Sequence, residues 1–558
     1  MTNNYLSDKI LDMSKWCTRE YLDKLDNDAK NELIFQVISA NEKLTRDLND
    51  LKELLKLKSA LPFMPSTEKI AYLFDEMELL TTALTKEEEE IIEVKEHTRK
   101  KAPHRIKELD SDTPIVKVDH CKNADDEIIN KDGYLYTRTE DKIVDKIAIV
   151  PAKYYIERHH YPQYKLKNFE ADKSLGEKNI IVKWDNKDTD TIVAASSLVA
   201  RIATRKYNDQ LPLYRQEAIF KREGLEFTRQ TLSNWLLRYF NLIKPLRDRL
   251  KYHILTSNLI NQDETALQVL RLPDSKPTAK HYMMVQVGVS NLDANNNHKV
   301  ALFTFLPNRT TALLNKQVEG YTGYIMTDGL KGYDHLKKHF NCWVHAVRQF
   351  KAILKINKKS VDALIMVNLV KELYKLEKKL RDQYQSGRIT KKEFNDIREK
   401  EAKDIFIKIE SAMKKMKPKY TPKSAMGKAL NYLETYWETL IKYPECFEST
   451  PDNNVAENAC RPFAVGRRNW LFSVSQDGAD ASALYYSLVE TAKINNINSF
   501  KYIWYVLEKA PLAKSEEDWD NLLPWNVGKE ALLSLEDNYK KATPDENRIE
   551  KYIFRGYH

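Results

Sequence analysis

The chain is 558 residues long, more than one simple domain needs, and its 42% hydrophobic and 31% charged residues fit a folded globular protein. No apolar run has the length that crosses a bilayer, and the opening Met-Thr-Asn-Asn-Tyr-Leu-Ser-Asp lacks the basic start and apolar core of an export signal, so no membrane partner and a cytoplasmic location are expected. Ninety Lys and Arg against 81 Asp and Glu give a net charge of +9, which favours docking on phosphate, and five scattered cysteines read as free thiols rather than a disulfide framework.

Residues 1–60 read as an N-terminal helical, coiled-coil region, because Leu33, Val37, Ala40, Leu44, Leu48, Leu51 and Leu55 recur at steps of three and four. An amphipathic helix packed on its own domain would show the same pattern. Residues 61–110 read as a linker whose basic run from His97 to Lys107 is either a flexible spacer or an arm that touches phosphates. Residues 111–185, with Ile, Val and Tyr roughly alternating at 143–150 and 154–161, read as a small β-rich module. Cys121, His159 and His160 lack the paired spacing of a metal site, so zinc is not expected there.

Residues 186–245 carry a pair of helices. A helix starting near Pro212 would stop at Gly224, and Thr228 would cap a second one that buries Leu232, Trp235 and Leu236. That arrangement has helix-turn-helix geometry and would present Arg229, Gln230 and Ser233 to base edges or phosphates, although an ordinary helical hairpin fits the same residues.

Residues 246–350 read as three strands in series, Asn258 to Leu270, Tyr282 to Val289 and Lys299 to Leu306. A helix from Thr310 to Val318, a short strand ending at Asp328, a helix from Leu330 to Phe340 and an apolar stretch from Cys342 to Val347 follow. Three antiparallel strands, then helix, strand, helix and strand, is the ribonuclease-H-like layout, in which Asp263 and Asp328 meet. Facing aspartates repel unless a cation lies between them, and oxygen ligands favour magnesium or manganese. A third acid would complete a clamp for two ions in phosphoryl transfer. Glu457 is the candidate, in the second turn of a helix capped by Asp452 or Asn453 and with Arg461 one turn later; Asp452 is its rival.

Residues 351–445 form a helical insertion with apolar stripes at Leu364, Leu369, Leu373, Leu376 and Leu380 and at Phe394, Ile397, Ile405, Ile409 and Met413, bent at residues 385–387. It would brace DNA or a partner subunit, or act as a spacer. Residues 446–500 return to the core with the Glu457 helix, and 501–558 form a C-terminal extension. Cys342 and His345 have the spacing of half a metal site without a second pair, so zinc is not expected, and His345 and Arg348 read as residues supporting the acids. Arg467 and Arg468 would hold phosphates, while Trp470 would stack on an unpaired base or lie in the core. The expected fold is multidomain α+β: a ribonuclease-H-like core with a large helical insertion, preceded by a coiled coil, a small β-rich module and a helix-turn-helix.

Several motifs stand in one order: Leu211-Pro-Leu-Tyr-Arg-Gln216, Asp263-Glu-Thr265, Thr327-Asp-Gly329, Cys342-Trp-Val-His-Ala-Val-Arg348, Asn453-Asn-Val-Ala-Glu457, Gly466-Arg-Arg-Asn-Trp-Leu-Phe472 and Leu522-Leu-Pro-Trp-Asn526. In these the chain resembles the DDE transposases of the insertion-sequence-66 family over nearly its whole length. The resemblance implies an enzyme in which Asp263, Asp328 and Glu457 hold two magnesium or manganese ions, cut DNA at the element's ends and transfer the 3′ hydroxyl into target DNA. It implies terminal inverted repeats and target DNA as partners, a homodimer or larger assembly, a nucleoid-associated location, and room for accessory proteins encoded by the element. The chain departs from the family at Cys121 and Tyr161-Pro-Gln-Tyr-Lys-Leu166, where the family carries cysteine pairs for zinc, and at Val347 and Asn458, where it carries Arg. The last two motivate an alternative, a catalytically impaired, transposase-derived protein that binds or bridges DNA.

Overall fold

The computed structural model describes residues 194–290, 298–329 and 338–542, four short strands between 128 and 181, and a few single residues besides. The coiled coil, the basic arm and the strands expected at 143–150 and 154–161 lie outside the described residues. The chain divides into two compact units, 74–160 and the remainder. In the first, β1 (Ile128–Lys131) pairs antiparallel with β2 (Tyr134–Thr137). In the second, β3 (Gln163–Lys165) pairs antiparallel with β4 (Asn179–Ile181).

Four helices follow: α1 (Ser196–Tyr207), α2 (Leu213–Arg222), α3 (Arg229–Ile243) and α4 (Pro245–Ile254). Pro212 sits at the N-cap of α2, where its missing N–H costs no hydrogen bond, and Gly224 turns the chain at φ +82°, a value that side chains resist. Thr228 Oγ1 accepts the Thr231 N–H at 3.1 Å and starts α3. Leu232, Trp235 and Leu236 then fall on its buried face, as their spacing requires.

The central sheet is mixed and has five strands. β5 (Leu259–Leu267), β7 (His281–Ser290) and β8 (His298–Leu306) form an antiparallel meander, while β6 (Val269–Arg271) leaves the sheet between the first two. After α5 (Thr311–Gln317), β9 (Tyr324–Thr327) adds parallel to β5, and β10 (His339–Asn341) adds parallel to β9. The strand order is therefore β10-β9-β5-β7-β8.

The last strand is not where the sequence placed it. Residues 339–341 pair with β9, and Cys342 to Val347 instead open α6 (Trp343–Ile356). A six-residue apolar run suits either a strand or a helix. The longer pattern decides, since Trp343, Ala346, Val347, Phe350 and Ile353 are buried at steps of three and four. For the same reason the helix expected to run to Phe340 does not, because that residue is in the strand.

The insertion contains α7 (Val361–Gln385), α8 (Lys391–Met416) and α9 (Ala425–Leu440). Its bend has Gly387 at φ +71°, and Thr390 and Glu393 form a reciprocal capping box. Leu364 is 47% exposed, outside the stripe assigned to it, because Ala363, Met366, Val367 and Val370 carry the buried face. The hairpin also encloses a charge: Arg398, 0% exposed, bonds Glu377 at 2.5 Å and the Cys446 and Ser449 carbonyls at 2.8 and 2.6 Å. The loop that leads to Glu457 is thereby tied to the hairpin.

Beyond it come α10 (Asn454–Trp470), β11 (Ser473–Ser475), α11 (Gln476–Ile494), α12 (Ser499–Lys509), α13 (Glu516–Asn521) and α14 (Lys529–Ala542). β11 pairs parallel with β6. α11 covers the edge strand β8: the Ser487 hydroxyl accepts the Phe303 N–H, the Thr491 hydroxyl bonds both N–H and C=O of Ala301, and the Asn495 amide bonds both of Lys299. Two strand residues and one helical turn advance by nearly the same length, so one helical stripe satisfies an open strand edge. The sheet, α1–α4 and the C-terminal helices share one apolar core, and α6–α9 enclose a second. Among the described residues no helix is long and apolar enough to cross a membrane.

Candidate active site

Asp263 lies in the middle of β5, and Asp328 immediately follows β9, the parallel neighbour of β5. Glu457 is on α10, which packs across β5. It occupies the first turn, not the second, where the helix dipole favours a carboxylate. Asn453 fixes this arrangement. Its amide donates to the Gln262 carbonyl at 2.7 Å and accepts from Asn261 at 3.0 Å, so the residue that starts the Glu457 helix is bonded to the strand beside Asp263. Asp452 serves the turn, accepting the Asn454 N–H at 3.1 Å.

The three carboxyl groups feel one another. Burial and the charge of Asp328 push Asp263 up to about 6, against the Glu264 N–H that donates to it at 2.8 Å. Burial pushes Glu457 up to about 7, with Arg348 opposing and Asp263, Asp452 and Asp328 adding to the rise. Asp328 is raised by burial and held back by Arg309 and Arg348. Such a cluster carries more negative charge than its surroundings solvate, which is the condition a divalent cation relieves. The donor set suits a hard ion: three carboxylates, with Glu457 Oε1 buried and without a hydrogen-bond partner. Oxygen donors of this kind match the chemistry of a hard divalent cation.

Two further groups belong here that the sequence reading missed. Glu264, next to Asp263 but on the opposite face of β5, is pushed up to about 7 by burial, and its carboxylate accepts from Gln262 at 3.0 Å. Arg309 lies 3.8 Å from Glu264 and 4.2 Å over the Tyr282 ring. Glu264 stands in the Asp263-Glu-Thr265 motif, whereas Arg309 had no sequence signal beyond its charge. A cavity of about 560 Å³ opens beside Asp328, lined among others by Arg309, His345, Arg348, Gln349 and Tyr432. Gly329 keeps this mouth open to α9: a Cβ there would lie 2.8 Å from the Tyr432 hydroxyl. His345 Nδ1 is 4.0 Å from Glu457 Oε1, and Arg348 is 3.8 Å from Glu457 Oε2.

The other expected site residues lie on α3 and α10. Arg229 and Gln230 are exposed and Ser233 is half-buried at the start of α3; Arg461 and Arg468 are half-buried on α10. Arg467 donates to the Ala266 carbonyl and the Thr265 hydroxyl, which commits it to β5. Trp470 packs edge-on to Phe463 at 5.3 Å against the core, and the solvent-facing apolar groups of that motif are Leu471 and Phe472, 63% and 39% exposed. Val347 is on the buried face of α6 and Asn458 is exposed on α10.

Residues 191–481 match the family described as the transposase IS66 family, and residues 487–525 match the IS66 C-terminal element. The chain is similar to the uncharacterized protein y4qI of Sinorhizobium fredii, 24% identical over 524 residues that cover 88% of this chain and 91% of that protein. It is also similar to the uncharacterized protein y4jD of the same organism, 26% identical over 350 residues that cover 60% of this chain and 66% of that protein. With its matched segments spanning the sheet, the insertion and the Glu457 helix, the chain belongs to the IS66 family of transposases.

Proposed function

We propose that this transposase cuts DNA at the ends of its element and joins the resulting 3′ hydroxyl to target DNA, with Asp263, Asp328 and Glu457 holding two divalent ions in a ribonuclease-H-like core. The observation that carries the reading is the coupling of two aspartates on adjacent parallel strands with a glutamate on the helix that crosses them. The strand order β10-β9-β5-β7-β8 supports the core assignment. Bound magnesium or manganese would activate the attacking oxygen and stabilise the leaving one. Asn453 holds the Glu457 helix against the strand of Asp263, and Arg309 and Arg348 offer guanidinium groups to a phosphate lying over Asp328.

In this reading α2 and α3 act as a helix-turn-helix on the terminal inverted repeats through Arg229, Gln230 and Ser233, and Arg461 and Arg468 serve the phosphate backbone. Leu471 and Phe472 replace Trp470 as the apolar groups placed to meet bases. Pairing of two ends calls for at least a dimer. The non-cutting alternative rested on Val347 and Asn458, and neither lines the cavity beside Asp328.

The test is cleavage and strand transfer on DNA carrying the element's ends, with magnesium or manganese. Asp263→Asn, Asp328→Asn and Glu457→Gln should each abolish both steps while leaving end binding intact. Retention of metal-dependent joining by any one of them overturns the assignment of that residue. Intact end binding without cleavage by the unaltered protein would favour the bridging reading.

A further inference from the structure

Cys342 follows β10 as the N-cap of α6, His345 is in the first turn of that helix, and Glu457 is in the first turn of α10. The fold brings one ligand atom from each within 4.8 Å of the others. By spacing alone Cys342 and His345 were half a site; Glu457 is the ligand that only tertiary structure supplies.

Two of the three ligand atoms, His345 Nδ1 and Glu457 Oε1, are buried polar atoms without a hydrogen-bond partner, and they face each other at 4.0 Å. Leaving such atoms unpaired is costly, and a bound ion or water relieves it. The Glu457 residue is only 7% exposed and Cys342 is fully buried, its sulfur accepting the Asn453 N–H at 3.3 Å. His345 keeps 24% of its side chain exposed and lines the cavity beside Asp328, which gives an ion a route in.

We propose that Cys342, His345 and Glu457 form a second metal site, selective for a thiolate-seeking divalent ion such as zinc over magnesium. Sulfur and imidazole ligands prefer zinc, whereas magnesium prefers oxygen. Cys342 binds as the thiolate, its proton passing to water, so thiolate and carboxylate together match the charge of the ion. A water molecule completes four-coordination from the cavity side. The consequence rests on the proposed function: zinc held here takes Glu457 from the hard-ion site it shares with Asp263 and Asp328, and restrains the transposase.

The experiment uses the full-length, metal-stripped protein titrated with cobalt(II), then zinc. Cobalt should produce a thiolate-to-cobalt charge-transfer band and the intense visible absorption of a four-coordinate ion. Cys342→Ser keeps the other four of the five cysteines and should lose that band. Because Cys342 is buried, His345→Ala serves as the second variant: it should retain the fold by circular dichroism and bind cobalt at least roughly tenfold more weakly. A cobalt spectrum unchanged by both substitutions, or without a thiolate band in the unaltered protein, overturns the site. In magnesium-supported cleavage, zinc should slow the unaltered protein by a larger factor than His345→Ala, each rate being taken relative to that protein's own zinc-free rate. If the cobalt band is present and zinc leaves cleavage unaffected, the metal site stands and the sharing of Glu457 falls.

Discussion

Asp263, Glu264 and Glu457 ionise less readily in the fold than in an unfolded chain, at about 6, 7 and 7, because burial and mutual repulsion disfavour their charged forms. Each group therefore holds its proton longer when folded. The stability this confers is complete below the ordinary carboxylate range near 4 and is lost as pH rises through about 6 to 7. Metal-free protein is expected to melt at a higher temperature at pH 5 than at pH 8, and magnesium should narrow the difference by raising the pH 8 value. Asp263→Asn should raise the pH 8 melting temperature of the metal-free protein, removing on the order of 1–3 kcal/mol of strain. Scanning calorimetry in chelator and in magnesium checks both; a melting temperature that rises with pH in chelator would contradict the electrostatic account.

Asn453 acts at the same scale through hydrogen bonds. Asn453→Ala leaves the Asn261 amide and the Gln262 carbonyl buried without their partner, at a cost of about 1–3 kcal/mol. It should also lower the cleavage rate more than it lowers end binding. Chemical denaturation and single-turnover cleavage measure the two effects, and equal losses in binding and rate would make the residue merely structural.

Among the elements, the coverage of β8 by α11 depends on side chains one helical turn apart. Thr491→Val keeps the shape and removes the hydroxyl that bonds both the N–H and the C=O of Ala301, so a loss of about 1–3 kcal/mol is expected in urea unfolding. Arg398→Ala strands the Glu377 carboxylate inside the helical hairpin, and about 3–5 kcal/mol is the usual cost of breaking a buried pair. Because Arg398 also holds the carbonyls of Cys446 and Ser449, its loss should loosen the approach to α10. Faster proteolysis near residues 446–450 and slower cleavage of DNA should accompany the stability loss. The helix pair α2–α3 and the bend at Gly387 were legible beforehand because proline, glycine and threonine act locally. The swap of strand and helix at residues 339–347 was not, since a short apolar run takes its form from its neighbours.

On the scale of the whole molecule, Leu523 near the C-terminus shares one core with Ile260 of β5 and Val285 of β7. Arg249 of α4 binds Asp520 through two nitrogens, at 2.7 and 2.5 Å, and Trp525 stacks on His298 at 5.1 Å. The C-terminal element is thus part of the sheet's support. Leu523→Ala is expected to cost about 2–5 kcal/mol and to lower the melting of sheet and C-terminal helices together. Separate transitions by near-ultraviolet circular dichroism and by tryptophan fluorescence would show instead that the C-terminal element folds alone.

The order of the motifs and the local signals of caps and turns were enough, by themselves, to give the family, the helix pair, the strand meander and Asp263, Asp328 and Glu457 as candidates. Those signals reside in neighbouring residues and survive in one dimension. Tertiary structure alone decided that Arg467 is bonded to β5, that Trp470 packs against the core, that Arg309 reaches Asp328 and Glu264, and that Cys342 and His345 meet Glu457. Each of these depends on which side chains distant segments bring together in space, and neither residue type nor spacing encodes that.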